Sequence, residues 1–178
     1  MKSRLFTAIL LAVSVRAGAG ENGFMGHYGY LVGYPSSFSA QPSFQGPIEV
    51  VQFMPPTKCS QDQKACAKLG WVNLSVFPKK LIKDANGMFT YSAFMDAVLK
   101  ESKADGEKPT ATPMKAGKLG GTTFALASPK GPFDRMVYIE GKKVYYRFAY
   151  DSKNKNAEKI VQGLSEVEPN DDPPPGSH

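Results

Sequence analysis

The chain has 178 residues, 21% of them charged, and a formal charge of +6. Removing Lys2, Arg4 and Arg16, which precede residue 20, from that +6 leaves +3, an ordinary surface that argues against a nucleic-acid partner. The remaining ~160 residues suffice for one domain with its own core, no internal repeat is visible, and no second apolar run is long enough to span a bilayer.

The N-terminus has the layout of a secretory signal peptide. Lys2 and Arg4 form a positive start, Leu5 to Val15 is an apolar run, and Ala17-Gly18-Ala19 supplies small residues for a peptidase. The predicted cleavage follows Ala19, which defines residues 1–19 as the signal and places the protein in the periplasm or outside the cell. The glycine-rich 20–27 segment is expected to be flexible. Residues 28–167 form the expected single domain. The acidic, proline-rich tail 168–178 contains nothing that can pack and is predicted to be disordered.

In chain order, "YLVGYPSSFSAQ" predicts a short strand broken by Pro35, and "PIEVVQFMPP" a second, ended by two prolines. Cys59 and Cys66, the only cysteines, follow at C-x6-C spacing. A structural zinc site needs four ligands and a thioredoxin-type centre needs C-x-x-C. In an oxidising compartment the remaining reading is a Cys59–Cys66 disulfide, worth about 2.5 kcal/mol by loop entropy. "WVNLSVFP" alternates as a third strand. "GMFTYSAFMDAVLKESKA" then changes to helical period, with Met88, Tyr91, Met95, Val98 and Leu99 on one face, Phe94 beside it and Thr90 as N-cap. "PMKAGKLGGTTFALAS" reads as strand, glycine turn, strand.

Two alternating runs then flank Glu140-Gly141 as a hairpin. One face carries Val137, Ile139, Val144, Tyr146 and Phe148 and should enter the core. The other carries Asp134, Met136, Tyr138, Lys143, Tyr145 and Arg147. A two-residue loop would set Asp134 opposite Arg147. "NAEKIVQGLSEVE" predicts a terminal helix capped by Asn156 and burying Ile160, Val161 and Leu164. Local hairpins dominate, so the prediction is an α+β fold, an α/β/α sandwich with a mainly antiparallel sheet and two principal helices.

The stretches "GYLVGYPSSFSAQP", "WVNLSVFP" and "GKKVYYRFAYDSKNKNAEKIVQGL" resemble the PsbP-like family, with its opening hydrophobic–Tyr–Pro strand and its closing hairpin, aromatic strand and helix. The resemblance spans roughly Tyr28 to Val167. It implies a sandwich fold that commonly serves as a non-enzymatic accessory or binding module, and it carries no catalytic motif.

The residues themselves name no chemistry. His27 is the one histidine in or near the folded part and stands among glycines. No nucleophile elbow, H-E-x-x-H or P-loop pattern is present, so no catalytic residue, metal ligand or cofactor is assigned. Tyrosine and arginine favour interfaces, which makes Tyr138, Lys143, Tyr145 and Arg147 the candidate partner-binding residues. The expected function is a non-enzymatic accessory or protein-binding module of the cell envelope, with another envelope or secreted protein as partner. The alternative is a secreted inhibitor or immunity-type protein that uses a stapled loop 59–66. An enzyme would instead show two carboxylates converging in a deep pocket, or His27 folded back against one.

Overall fold

The computed structural model describes residues 21–56, 70–81, 90–104, 106, 109–127, 129 and 131–167. Every strand pairing among them is antiparallel. Seven strands make one sheet: β3 (Ser39–Gln45), β4 (Ile48–Met54), β5 (Val72–Pro78), β6 (Pro109–Ala116), β7 (Leu119–Leu126), β8 (Arg135–Glu140) and β9 (Val144–Tyr150). Their spatial order is β3-β4-β5-β9-β8-β7-β6. A smaller sheet, in the order β1-β2-β10, joins β1 (Glu21–Gly26), β2 (Tyr30–Pro35) and β10 (Leu164–Glu166).

Helix α1 (Tyr91–Ala104) covers one face of the large sheet, and α2 (Ala157–Gln162) lies with the small sheet on the other. Residues 79–81 form a third helical stretch directly after β5. The fold is therefore mixed α+β with antiparallel sheets, as the patterning predicts. The two-helix α/β/α sandwich is corrected: opposite α1 the layer is mostly strands, and α2 only fills out its end. Among the described residues no helix is long and apolar enough to cross a membrane.

Strand alternation builds two cores on the two faces of the large sheet. Val51, Phe53, Val72, Leu74, Val137, Ile139, Tyr146 and Phe148 point toward the small sheet and meet Tyr30, Val32, Ile160 and Leu164. On the other face, Phe124, Tyr138 and Tyr145 meet Phe94 and Met95 of α1. The predicted helical stripe does pack inward, with Phe94 at its centre rather than its flank: the Phe94 ring lies 4.5 Å from that of Tyr145 at an interplanar angle of 5°. Met88 lies outside the described residues. Thr90 caps α1 as expected, its Oγ1 accepting the Ala93 N–H at 3.1 Å.

Three local expectations change. Within the 20–27 segment expected to be flexible, Glu21–Gly26 forms β1, paired with β2 from Glu21↔Pro35 to Gly26↔Tyr30. In the β8–β9 hairpin Arg147 stands opposite Tyr138, not Asp134, because the two turn residues are Lys142 and Lys143, closed by the Gly141 N–H to the Val144 carbonyl, rather than Glu140 and Gly141. Pairing is thus displaced by four residues, an even number, so each side chain keeps its predicted face. Asp134 instead accepts from the Ser152 N–H and hydroxyl, each at 2.6 Å. At the C-terminus α2 stops at Gln162, and Leu164 begins β10 against β2. Asn156 makes no side-chain cap bond. Asn154 organises that turn, accepting the Asn156 N–H at 2.9 Å and donating to the Gly70 carbonyl at 2.7 Å.

Candidate functional site

The four residues predicted to meet a partner do not form one surface. Tyr138 and Tyr145 are 5% and 2% exposed and lie beneath α1. Tyr138 sits between Phe94 and Phe124, with ring centroids 5.9 and 5.7 Å away, and its carbonyl accepts the Tyr91 hydroxyl at 2.8 Å. Lys143 is exposed on the hairpin turn, where its carbonyl accepts the Lys79 N–H at 3.0 Å. Arg147 is half-buried, donating to Ser75 Oγ at 3.1 Å with its guanidinium over the Phe77 ring. The expected binding face is thus largely the second core, closed by this chain's own helix. Tyrosine enrichment reported burial under an aromatic helix, a use that strand patterning cannot separate from recognition.

The most unusual chemistry lies on the opposite side and involves residues that sequence reasoning passed over. Glu49 on β4 is 2% exposed. It shares strand parity with Val51 and Phe53, so the alternation that buries them also buries it. Its carboxylate accepts the main-chain N–H of His27 at 3.2 and 3.1 Å, one distance to each oxygen, which ties the β1–β2 turn to the large sheet. Burial pushes the Glu49 carboxyl above its ordinary value, and the N–H of His27 and the neighbouring Tyr30 hydroxyl pull it partly back. Tyr30 is fully buried, and its hydroxyl has no hydrogen bond of normal geometry. Its ring meets that of Tyr146 edge-on at 5.5 Å. Burial and the nearby carboxylates raise both phenols well above the usual tyrosine range.

Tyr146 donates to Glu166 Oε1 at 3.3 Å, and the same oxygen accepts the Lys142 N–H at 2.8 Å. Two glycines make these approaches possible. A Cβ on Gly26 would sit 2.0 Å from the Tyr30 ring, and one on Gly141 would sit 2.3 Å from Glu166 Oε1. Around Glu49, Tyr30 and Tyr146 the cluster is a sealed polar clamp. His27 folds against a carboxylate through its backbone, while its imidazole packs edge-on against Tyr28 and Phe44. No described cavity reaches Glu49.

The two described cavities flank α2. One, of about 440 Å³, runs between Glu21, Tyr34 and Lys159. The other, of about 310 Å³, lies between Thr123, Arg135, Tyr150 and Glu158. Each offers one acid and one base rather than the paired carboxylates an enzyme reading would require. Among the described residues no group of three or more His, Cys, Asp or Glu could hold a metal. The expected Cys59–Cys66 disulfide does not stand as a finding and is withdrawn, together with the stapled-loop inhibitor built on it. No disulfide occurs among the described residues, and both cysteines lie outside them.

Among the described residues the most exposed large hydrophobic side chain, Met25, lies on the small sheet. Phe24, Tyr30, Val32 and Leu164 point into the core, so Glu21, Gly23, Met25, Leu31 and Ser165 point outward. Met25 is 51% exposed, and Val167, just beyond β10, is 37% exposed. Glu21 is the one charged side chain on this outer face of β1 and β2. Among the described residues β1 is also a free edge of its sheet. The strand was hidden in the sequence by its glycines and by a pattern too short to show a period.

No protein-family model matches the chain, and no curated protein matches it.

Proposed function

We propose that this chain is an exported, non-enzymatic accessory or protein-binding module of the cell envelope, built on a PsbP-like scaffold and delivered by the signal at residues 1–19. The observation that carries the reading is the outer face of the β1–β2–β10 sheet. It is nearly uncharged, it exposes Met25 and Val167, and it ends in an open strand edge. Proteins use such edges to accept an extended segment of a partner, where main-chain bonds give affinity and neighbouring side chains give selectivity. The sealed Glu49 clamp supports this reading by holding the turn that shapes the edge. It presents no group to a substrate.

A photo-crosslinking residue at Met25, in chain expressed in its native host, tests the proposal. The expected result is one discrete adduct that disappears on Leu31→Asp and is not formed from the exposed Lys118 position. Equal, diffuse labelling from both positions would overturn it. N-terminal sequencing of the envelope-derived chain should begin at Gly20, and a chain still beginning at Met1 would refute export by cleavage.

A further inference from the structure

We infer that the open β1 edge pairs with the β1 edge of a second copy, so that the chain is a two-fold dimer joined by a continuous sheet. The inference rests on the binding-surface reading above and names the occupant of that surface. The strand edges of this fold differ sharply in how they are protected. β3 carries Pro42, β6 carries Pro109, Pro113 and Lys115, and β10 is three residues long. Prolines, lysines and short length are the usual devices against edge pairing. β1 runs six residues as ENGFMG, with no proline and no basic residue. Among the described residues it is bonded on one side only, to β2.

The strand is also complementary to itself. A two-fold axis perpendicular to the sheet can pair only residues that share a face. Centred on Phe24, it sets Phe24 opposite Phe24 of the second copy and Asn22 opposite Gly26 of the second copy. Gly23 then lies opposite Met25 of the second copy, and Glu21 opposite His27 of the second copy. Each exposed Met25 falls opposite a glycine, which has no side chain to oppose it. No like charges face each other in this register. The neighbouring registers are poorer. Centring on Gly23 sets the Glu21 carboxylate against Met25. Centring on Met25 keeps only residues 24–26 paired within the strand and sets Met25 against Met25.

Sedimentation equilibrium of the chain purified after full-length expression tests the pairing. A concentration-dependent dimer is expected. Met25→Lys, which adds edge charge and removes the glycine contact, should weaken it about tenfold or more while leaving the unfolding midpoint unchanged at concentrations where the parent is monomeric. For register, Gly23→Cys and Met25→Cys chains are mixed and oxidised with copper phenanthroline. Mass spectrometry should find a 23–25 inter-chain peptide in the mixture and no 25–25 peptide from Met25→Cys alone. Should Gly23→Cys fail to fold, sedimentation of Met25→Lys decides by itself. A chain that stays monomeric at every concentration overturns the inference. If that monomer still forms the discrete adduct at position 25 with a different protein, self-pairing falls and the binding-module reading stands. If it forms none, both fall.

Discussion

The two faces of the large sheet solve the same packing problem with different chemistry. Beneath α1 the contact is dry and aromatic: Phe94 stacks on Tyr145, and Tyr138 lies edge-on between Phe94 and Phe124. Beneath the small sheet the tyrosines are equally buried, but they surround a carboxylate, and the contact depends on hydrogen bonds to Glu49 and Glu166. The first face should therefore lose stability through lost volume, and the second through unsatisfied polar groups and through pH. Each kind of damage can be inflicted separately.

The largest effect is expected on the dry face. Phe94→Ala removes a buried ring and the stacking partner of Tyr145, and should cost about 3 kcal/mol in urea unfolding. The loss should be local in character. Hydrogen exchange at Tyr91–Val98 should accelerate, while amides of β2 and β10 keep their relative protection. Uniform acceleration across both faces would show that the two cores unfold as one unit and erase the distinction.

Next in size is the polar face. Glu49→Ala leaves the inward-turned His27 N–H without an acceptor and should cost about 2 kcal/mol. Glu49→Gln keeps an acceptor oxygen and should cost less. Burial raises the folded-state pKa of Glu49 above its unfolded value, so its contribution to stability is fully present below the ordinary carboxylate range. It is lost as pH rises through the raised value, where the folded state must carry a buried charge. Subtracting the Glu49→Gln stability profile from that of the parent should show this decline, confined to the interval between the ordinary and raised values. A flat difference would mean that the carboxylate is solvated. The same pH series on Phe94→Ala should track the parent with a constant offset, which makes the comparison of faces quantitative.

How much of this was legible beforehand differs along the same division. Period-two alternation located β2, β4, β5 and both strands of the last hairpin, and the change to helical period found α1 with its Thr90 cap. Face assignment survived a wrong hairpin register because the error was even. β1 and β10 were not legible. β1 is interrupted by glycines at 23 and 26, and β10 is a three-residue strand that follows directly on Gly163, the C-cap of α2. Both owe their structure to β2, a tertiary partner that local propensity does not encode. The candidate surface built from them was therefore hidden as well. Glu49 was within reach, since its parity with Val51 and Phe53 already placed it inward. A glutamate on a core face is a signal in its own right, because a charged group is rarely buried without a partner. Tyr138 and Tyr145 misled for the opposite reason: a tyrosine suits an interface and a covered sheet equally well.

The smallest effect separates the two helices that lie on these faces. Both have a residue suited to cap the first turn, Thr90 before α1 and Asn156 before α2. Only Thr90 bonds, taking the Ala93 N–H at 3.1 Å, whereas the Asn156 side chain caps nothing. Thr90→Ala should thus cost about 1 kcal/mol, and Asn156→Ala close to nothing, although residue preference alone ranks asparagine at least as high. The second helix is anchored otherwise: Ala157, Ile160 and Val161 are buried, and Asn154 bridges its entry to Gly70. Asn154→Ala should consequently exceed Asn156→Ala. Equal losses at 90 and 156 would show that α2 depends on its cap as α1 does, and that the polar face gains less from its tertiary bonds than the geometry indicates.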